Sequence, residues 1–232
     1  MDRKVATPLR EKNRSCSPNS IRQVRGVVFD MDGTLTLPTL DFAEMKRQLK
    51  LPPSSDIWVS VQAMSGEDKE KSMVIIEEML DEANRRLRLQ PGVLDVLHFL
   101  AQRGLGKALL TWNSEKNVRV FVEHVKQLCA STAEKYPLFA QQPLFSQVIT
   151  GEFQPCKPDP APFLHVCEVW SMDPRDVVMV GDDRVDMMCG RGAGAVTVLL
   201  ANEHNAVGHA EHADHIITSL HDLIPLLFET TV

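Results

Sequence analysis

The sequence predicts an α/β protein: a parallel sheet with helices on both faces and a helical insertion after the first strand. Three observations carry this. Short, mostly apolar runs recur at 27–29, 106–111, 147–150, 177–181 and 195–200, each of a length suited to a buried strand. Stretches with helical spacing separate them, and such alternation builds parallel βαβ units. Residues 36–90, by contrast, carry helical patterns and no strand pattern.

Composition narrows the class. The 232 residues suffice for one α/β domain with a modest insertion, and 44% hydrophobic with 24% charged residues is ordinary for a soluble globular chain. A formal net charge of -6 gives no general affinity for nucleic acid. No apolar run approaches the roughly 18–20 residues of a membrane span. Cys16, Cys129, Cys156, Cys167 and Cys189 form no CxxC pair and are odd in number, against a disulfide framework or zinc site and for a reducing compartment. Residues 1–20 are polar and partly basic, with no apolar periodicity, and are expected to be a disordered tail of a cytoplasmic protein. An organelle transit peptide is the other reading of this tail. Asp2, Glu11 and the lack of an amphipathic stripe weigh against it, and the missing hydrophobic run excludes a secretory signal.

The first strand ends at Asp30-Met31-Asp32-Gly33-Thr34. Residues two apart on an extended chain point the same way, so both carboxylates face one site at the strand's carboxyl end. Gly33 allows a sharp turn and a close backbone approach. Carboxylates this near repel, and one stays protonated unless a cation offsets them. After a break at 37–40, Phe42, Met45 and Leu49 mark a short helical face that Pro52-Pro53 closes. Residues 54–56 offer an N-cap for a helix over 57–64. Residues 65–68 open a longer helix with Met73, Ile76, Leu80, Ala83 and Leu87 on one face, closed by Gln90-Pro91-Gly92.

Val93, Val96, Leu97 and Leu100 then face inward from a helix that Gly104 ends. The second strand leads to Thr111-Trp112-Asn113, and Val118, Phe121, Val122 and Val125 line a helix over 114–128. Residues 129–143 read as a loop extension. Beyond the third strand, Lys157 stands among prolines, which stiffen the backbone. A helix runs from Asp159-Pro160 through Trp170, with Pro160 suited to its first turn. The fourth strand ends in Gly181-Asp182-Asp183-Arg184-Val185-Asp186, and a helix follows over 185–191. His204, His209, His212 and His215 lie past the fifth strand at irregular spacing, which reads as a solvated loop rather than a metal tract. Residues 215–217 suggest a short sixth strand and 220–228 a last helix.

In such sheets ligands bind beyond the carboxyl ends of the strands. The residues there resemble, in order, the four motifs of the haloacid dehalogenase superfamily in its phosphatase branch. Asp30-Met31-Asp32-Gly33-Thr34 is similar to DxDGT, Thr111 to the hydroxyl of the second motif, Lys157-Pro158-Asp159-Pro160 to KPxP, and residues 181–186 to GDxxxD. The glycine-rich continuation over 190–195 is also similar. The resemblance covers residues 24–218 and implies a Rossmann-like core at 21–35 and 91–232, with 36–90 as a small helical cap over the active site. It implies Mg²⁺-dependent hydrolysis of a small phosphate monoester through an aspartyl-phosphate. Asp30 is then the nucleophile and Asp32 the acid/base. Thr111, Lys157 and backbone N–H groups near Gly33 hold the phosphoryl oxygens. The metal is held by the Asp30 carboxylate, the Asp32 carbonyl and Asp182, chosen over Asp183 because it directly follows the glycine. In the family the last aspartate, here Asp186, usually stands behind the ligands. Trp112 and Asn113 fall on the substrate side, Trp112 as a substrate contact or as packing. The implied partner is a small phosphorylated metabolite, with neither nucleic acid nor membrane; the oligomeric state is not legible. Asp32 argues against dehalogenation, since the dehalogenases lack the second carboxylate. A phosphomutase acting on a sugar phosphate uses the same motifs. A non-catalytic binding protein on this fold would not need Asp30, Asp32, Lys157 and Asp182 together.

Overall fold

The structure, a computed structural model, describes residues 24–55, 57–202, 205 and 209–228. The expected tail at 1–20, with Cys16, and His204 lie outside the described residues. Among the described residues six strands form one parallel sheet in the order β3-β2-β1-β4-β5-β6: β1 (Gly26–Phe29), β2 (Gly106–Leu110), β3 (Gln147–Ile149), β4 (Val177–Gly181), β5 (Val196–Leu200) and β6 (His215–Ile217). The expected α/β architecture is therefore present, short sixth strand included. The register follows the apolar runs. Val27 and Phe29 face one core and Val28 the other, as strand alternation requires when both faces are buried.

The first core packs α4 (Val93–Gln102), α5 (Glu115–Ser131) and α8 (Leu223–Phe228) on one face, with Leu97, Phe121 and Leu223 fully buried. The second packs α6 (Ala161–Trp170) and α7 (Arg184–Ala193) on the other through Phe163, Val166 and Cys189. Burying each such large side chain stabilises by about 1.5–3 kcal/mol. Among the described residues no helix is long and apolar enough to cross a membrane.

The insertion holds α1 (Phe42–Gln48), α2 (Ile57–Gln62) and α3 (Gly66–Arg85) around a small core of its own: Met45, Leu49, Ile57, Val61 and Ile76. Its two stems run side by side where the chain leaves and re-enters the sheet. Leu37 N–H donates to the Arg88 carbonyl at 2.8 Å, and Gln90 N–H to the Leu35 carbonyl at 2.9 Å. Two expected inward residues are turned out. Phe42 is 49% exposed and Met73 46% exposed. The small insertion core closes with Met45 and Ile76, and periodicity alone does not say which edge of an apolar stripe is covered.

The region read as a loop over 129–143 is more ordered than expected. Helix α5 continues to Ser131, and residues 137–140 form a 3-10 turn. Tyr136 is buried and its hydroxyl donates to Asp95 at 2.9 Å, while Phe139 and His98 pack edge-on at 5.8 Å. The two Tyr-Pro and Gln-Pro breaks thus bound a packed turn rather than an open loop. The histidine tract is also less solvated than expected. His209 is half-buried with Nδ1 at 3.3 Å from the Asp182 carbonyl, and His212 Nε2 accepts from Arg184 at 3.2 Å.

Helix α7 owes its closeness to the sheet to Gly190, where an added Cβ would lie 2.8 Å from both Met179 and Thr197 side chains. At Gly192, two residues on, a Cβ would find Pro160 at an ordinary 3.4 Å. Gly190→Ala should therefore lower the melting temperature, at an overpacking cost of ~1–3 kcal/mol. Gly192→Ala should be neutral or raise it, since alanine is the better helix former. Thermal melts of the two variants check this contrast.

Candidate active site

The carboxyl ends of β1, β2 and β4 are adjacent in the sheet, so the segments that leave them share one site. A cavity of about 460 Å³ opens there. Its floor is Asp30, Asp32, Thr111, Lys157, Asp182 and Asp186, and its roof comes from the insertion, with Phe42, Lys46 and Leu80 among the roof residues. All eight residues singled out from the sequence line it: Asp30, Asp32, Gly33, Thr111, Trp112, Asn113, Lys157 and Asp182.

Asp30 continues the β1 ladder, its N–H donating to the Val180 carbonyl at 2.9 Å. Its side chain meets Lys157, which is only 3% exposed. The ammonium donates to Asp30 Oδ1 at 2.6 Å, to Asp186 Oδ1 at 2.6 Å and to the Leu110 carbonyl at 3.0 Å. An ammonium has three N–H donors, and here the protein uses all of them. Burial alone would lower the Lys157 pKa, but Asp186 and Asp30 outweigh it and raise it. Lys157 is therefore a fixed positive charge.

One cation does not offset the carboxylates around it. Oxygens of Asp30, Asp182 and Asp186 all lie within 4.8 Å of one another. Burial pushes the Asp30 carboxyl up, with Lys157 opposing and Asp32 adding to the rise. Burial also raises Asp32, against the Asn113 hydrogen bond and the Lys157 charge. Burial, then Asp30, Asp186 and Asp183, push Asp182 up to about 8, with Thr34 opposing. The Thr34 hydroxyl donates to Asp182 Oδ1 at 3.2 Å. The Asp182 carbonyl accepts from Asn205 at 2.7 Å. Gly33, at φ 79°, leaves no room for a Cβ, which would fall 2.2 Å from Asp182 Oδ2. The glycine thus lets the first turn press against the Asp182 carboxylate.

Asp183 and Asp186 form the capping box of α7. Asp183 is the N-cap of α7, its side chain accepting from Val185 N–H at 3.0 Å. Asp186 closes the capping box: Oδ2 accepts from Asp183 N–H at 3.1 Å while Oδ1 holds Lys157. Both Asp186 oxygens are engaged, so Asp30 and Asp182 have the freer oxygens for a cation. The excess of buried negative charge and the all-oxygen donor set fit a hard divalent ion.

At the tip of β2, Thr111 Oγ1 accepts from the Asn113 backbone N–H and from Asn113 Nδ2, both at 3.1 Å. Among the described residues nothing accepts its own hydroxyl hydrogen. Asn113 Nδ2 also donates to Asp32 Oδ2, so this amide serves the second carboxylate directly. The sequence puts Asn113 on the substrate side and Asp186 behind the ligands; in the structure Asn113 bonds Asp32 and Asp186 bonds Lys157. It does not reveal Lys46, Phe42 and Leu80, because nothing in a helical stripe says that its exposed edge roofs a cavity. Trp112 lines the cavity wall.

A family model described as haloacid dehalogenase-like hydrolase matches residues 24–194. A haloacid dehalogenase-like hydrolase domain-containing protein of Arabidopsis thaliana is 33% identical over 194 residues, 78% of this chain and 73% of that protein. Phosphoglycolate phosphatase 1 of Pseudomonas aeruginosa is 28% identical over 231 residues, 88% of this chain and 80% of its own. Among solved structures, a predicted phosphoglycolate phosphatase of Haemophilus somnus superposes with a TM-score of 0.65 at 22% identity, covering 89% of this chain and 99% of that one. That likeness is one of fold.

The raised Asp182 pKa has a sign that can be measured. A carboxyl whose pKa rises on folding favours the folded state below its unfolded value, ~3.9. That contribution is lost as pH climbs through the folded value of about 8. A divalent cation relieves the loss by taking the place of the proton. The rise in melting temperature on adding magnesium chloride to chelator-treated protein should therefore grow from about pH 5 to about pH 8. A rise of the same size across that window would contradict the charge balance described.

Proposed function

Because the chain belongs to the haloacid dehalogenase-like hydrolases, we propose that it is a Mg²⁺-dependent phosphatase that hydrolyses a small organic phosphate monoester through a phospho-aspartate. The observation that carries this reading is the placement of Asp30 and Asp32 on one cavity floor, with Lys157 against the first and Asn113 against the second. The named relatives support the substrate class, since the Pseudomonas aeruginosa protein is a phosphoglycolate phosphatase.

In this reading Asp30 attacks phosphorus with the oxygen that Lys157 does not hold, and the new P–O bond displaces the alcohol. Asp32 gives the leaving oxygen its proton and later takes one from water. The Asn113 bond to Oδ2 orients the Asp32 carboxyl for that transfer. Thr111 donates its free hydroxyl hydrogen to a phosphoryl oxygen as charge builds there. Lys157 has no spare donor; it favours the ionised form of Asp30, orients it and acts on the phosphoryl group as a charge behind the nucleophile. Magnesium, held by the Asp30 and Asp182 carboxylates with the Asp32 carbonyl, would supply the positive charge that lets a phosphate dianion approach a carboxylate. The insertion acts as a cap that keeps bulk water from the floor. Gly33 lets backbone N–H groups come close to the phosphoryl oxygens, and Trp112 borders the leaving group. A cytoplasmic setting fits the free Cys129, Cys156, Cys167 and Cys189 thiols.

The two carboxylates should separate experimentally. Asp30→Asn removes the nucleophile and should abolish turnover with no covalent intermediate. Asp32→Asn keeps it but loses acid–base help worth ~10²–10⁴-fold. With an aryl phosphate whose leaving group needs little protonation, phospho-enzyme should accumulate in Asp32→Asn only. Mass spectrometry after rapid quenching reads this, and phosphorylation of Asp30→Asn at any site during turnover would refute the assignment.

A further inference from the structure

Asn117 sits in the first turn of α5, is only 3% exposed, and takes no part in the steps above. Its neighbour Val118 turns into the sheet core, whereas Asn117 turns toward the insertion. Asn84 Nδ2 on α3 donates to Asn117 Oδ1 at 2.8 Å. Asn117 Nδ2 donates to Asn113 Oδ1 at 3.5 Å, and Asn113 Nδ2 donates to Asp32 Oδ2. Three amides thus run in single file from the insertion to the second carboxylate.

The sense of the row is set at its end. Oδ2 of Asp32 accepts whether the carboxyl is ionised or carries its proton on Oδ1, so Asn113 presents its amino group to Asp32. The Asn113 oxygen then faces Asn117, and the Asn117 oxygen faces Asn84. Donors aligned this way polarise one another, and a buried amide without partners costs ~1–3 kcal/mol. A buried helix position next to an apolar core has no packing need for asparagine. The contact between α3 and α5 is otherwise tied by exposed ion pairs, Lys116 with Glu77 at 2.9 Å and with Asp81 at 3.1 Å, which contribute little.

We propose that Asn117 is a positioning residue for Asp32, and that through Asn84 it makes the orientation of this carboxylate depend on α3 being seated on α5. The proposal rests on Asp32 as the acid/base. α3 also brings Leu80 to the cavity roof. The row therefore lets the roof report its position to the group that must protonate the leaving oxygen.

The test measures leaving-group release in the first turnover for two substrates, a dinitrophenyl phosphate that needs no proton and a simple alkyl phosphate that does. Wild type, Asn117→Leu and Asn84→Leu are compared, all with magnesium. The alkyl rate should fall by about 10-fold or more in both variants, a share of the ~10²–10⁴-fold that acid–base help supplies. The dinitrophenyl rate should stay within about twofold of wild type, because it does not call on Asp32 as an acid. A purely structural role would lower both rates together. Asn84 is half-buried, so Asn84→Leu carries the test if Asn117→Leu does not fold. An unchanged ratio of the two rates in an active, folded variant overturns the proposal alone. A wild type that releases neither leaving group overturns the phosphatase reading, and the proposal with it.

Discussion

The buried ammonium of Lys157 is the constraint that the rest of the site answers to. It joins β1 through Asp30, β2 through the Leu110 carbonyl and α7 through Asp186. Removing two ions from water costs several kcal/mol each, so a buried pair of this kind is a poor way to gain stability. Here the cost is partly met by complete use of the three donors. What the arrangement secures is a carboxylate held in one orientation with one oxygen spoken for. It also leaves a deficit, because one cation stands among the Asp30, Asp182 and Asp186 carboxylates. The raised pKa of Asp182 expresses that deficit.

Floor and roof divide the work differently. The floor is built from strand ends, whose positions the sheet register fixes and whose backbone bonds leave little play. The roof is carried by three helices with a small core of their own, attached by paired stems at residues 35–37 and 88–90. A rigid floor suits chemistry that needs atoms placed closely, and a separately packed roof suits choice of substrate. The row from Asn84 to Asp32 is the polar path along which the two parts meet.

Much of this was legible in the sequence, for identifiable reasons. Strands such as 177–181 are continuous apolar runs, and parallel strands buried on both faces must be. Asp30 and Asp32 were legible because alternation along a strand fixes which side chains share a face. Asp186 was legible only through the resemblance, which places it behind the ligands; the contact that holds it there was not, because it depends on a capping box that draws it back to the start of α7 and onto a lysine 29 residues away. Phe42 and Met73 were misplaced because helical spacing marks a stripe and not its cover. Residues 129–143 were misread because prolines signal breaks, while the packing of Tyr136 against Asp95 and His98 comes from tertiary contact. Asn117 carried no signal at all, since a single asparagine in a helix gains meaning only from partners far away in the chain.

In the proposed mechanism Asp30, with one oxygen held by Lys157, receives the phosphoryl group. Beryllium trifluoride bonds to a carboxylate oxygen in the manner of a phosphoryl group, so a crystal structure with it and magnesium identifies the nucleophile. Beryllium should be bonded to the Asp30 oxygen that faces away from Lys157, with a fluoride within hydrogen-bond reach of the Thr111 hydroxyl. Beryllium bonded to Asp32, or to no carboxylate in this cavity, would contradict that mechanism.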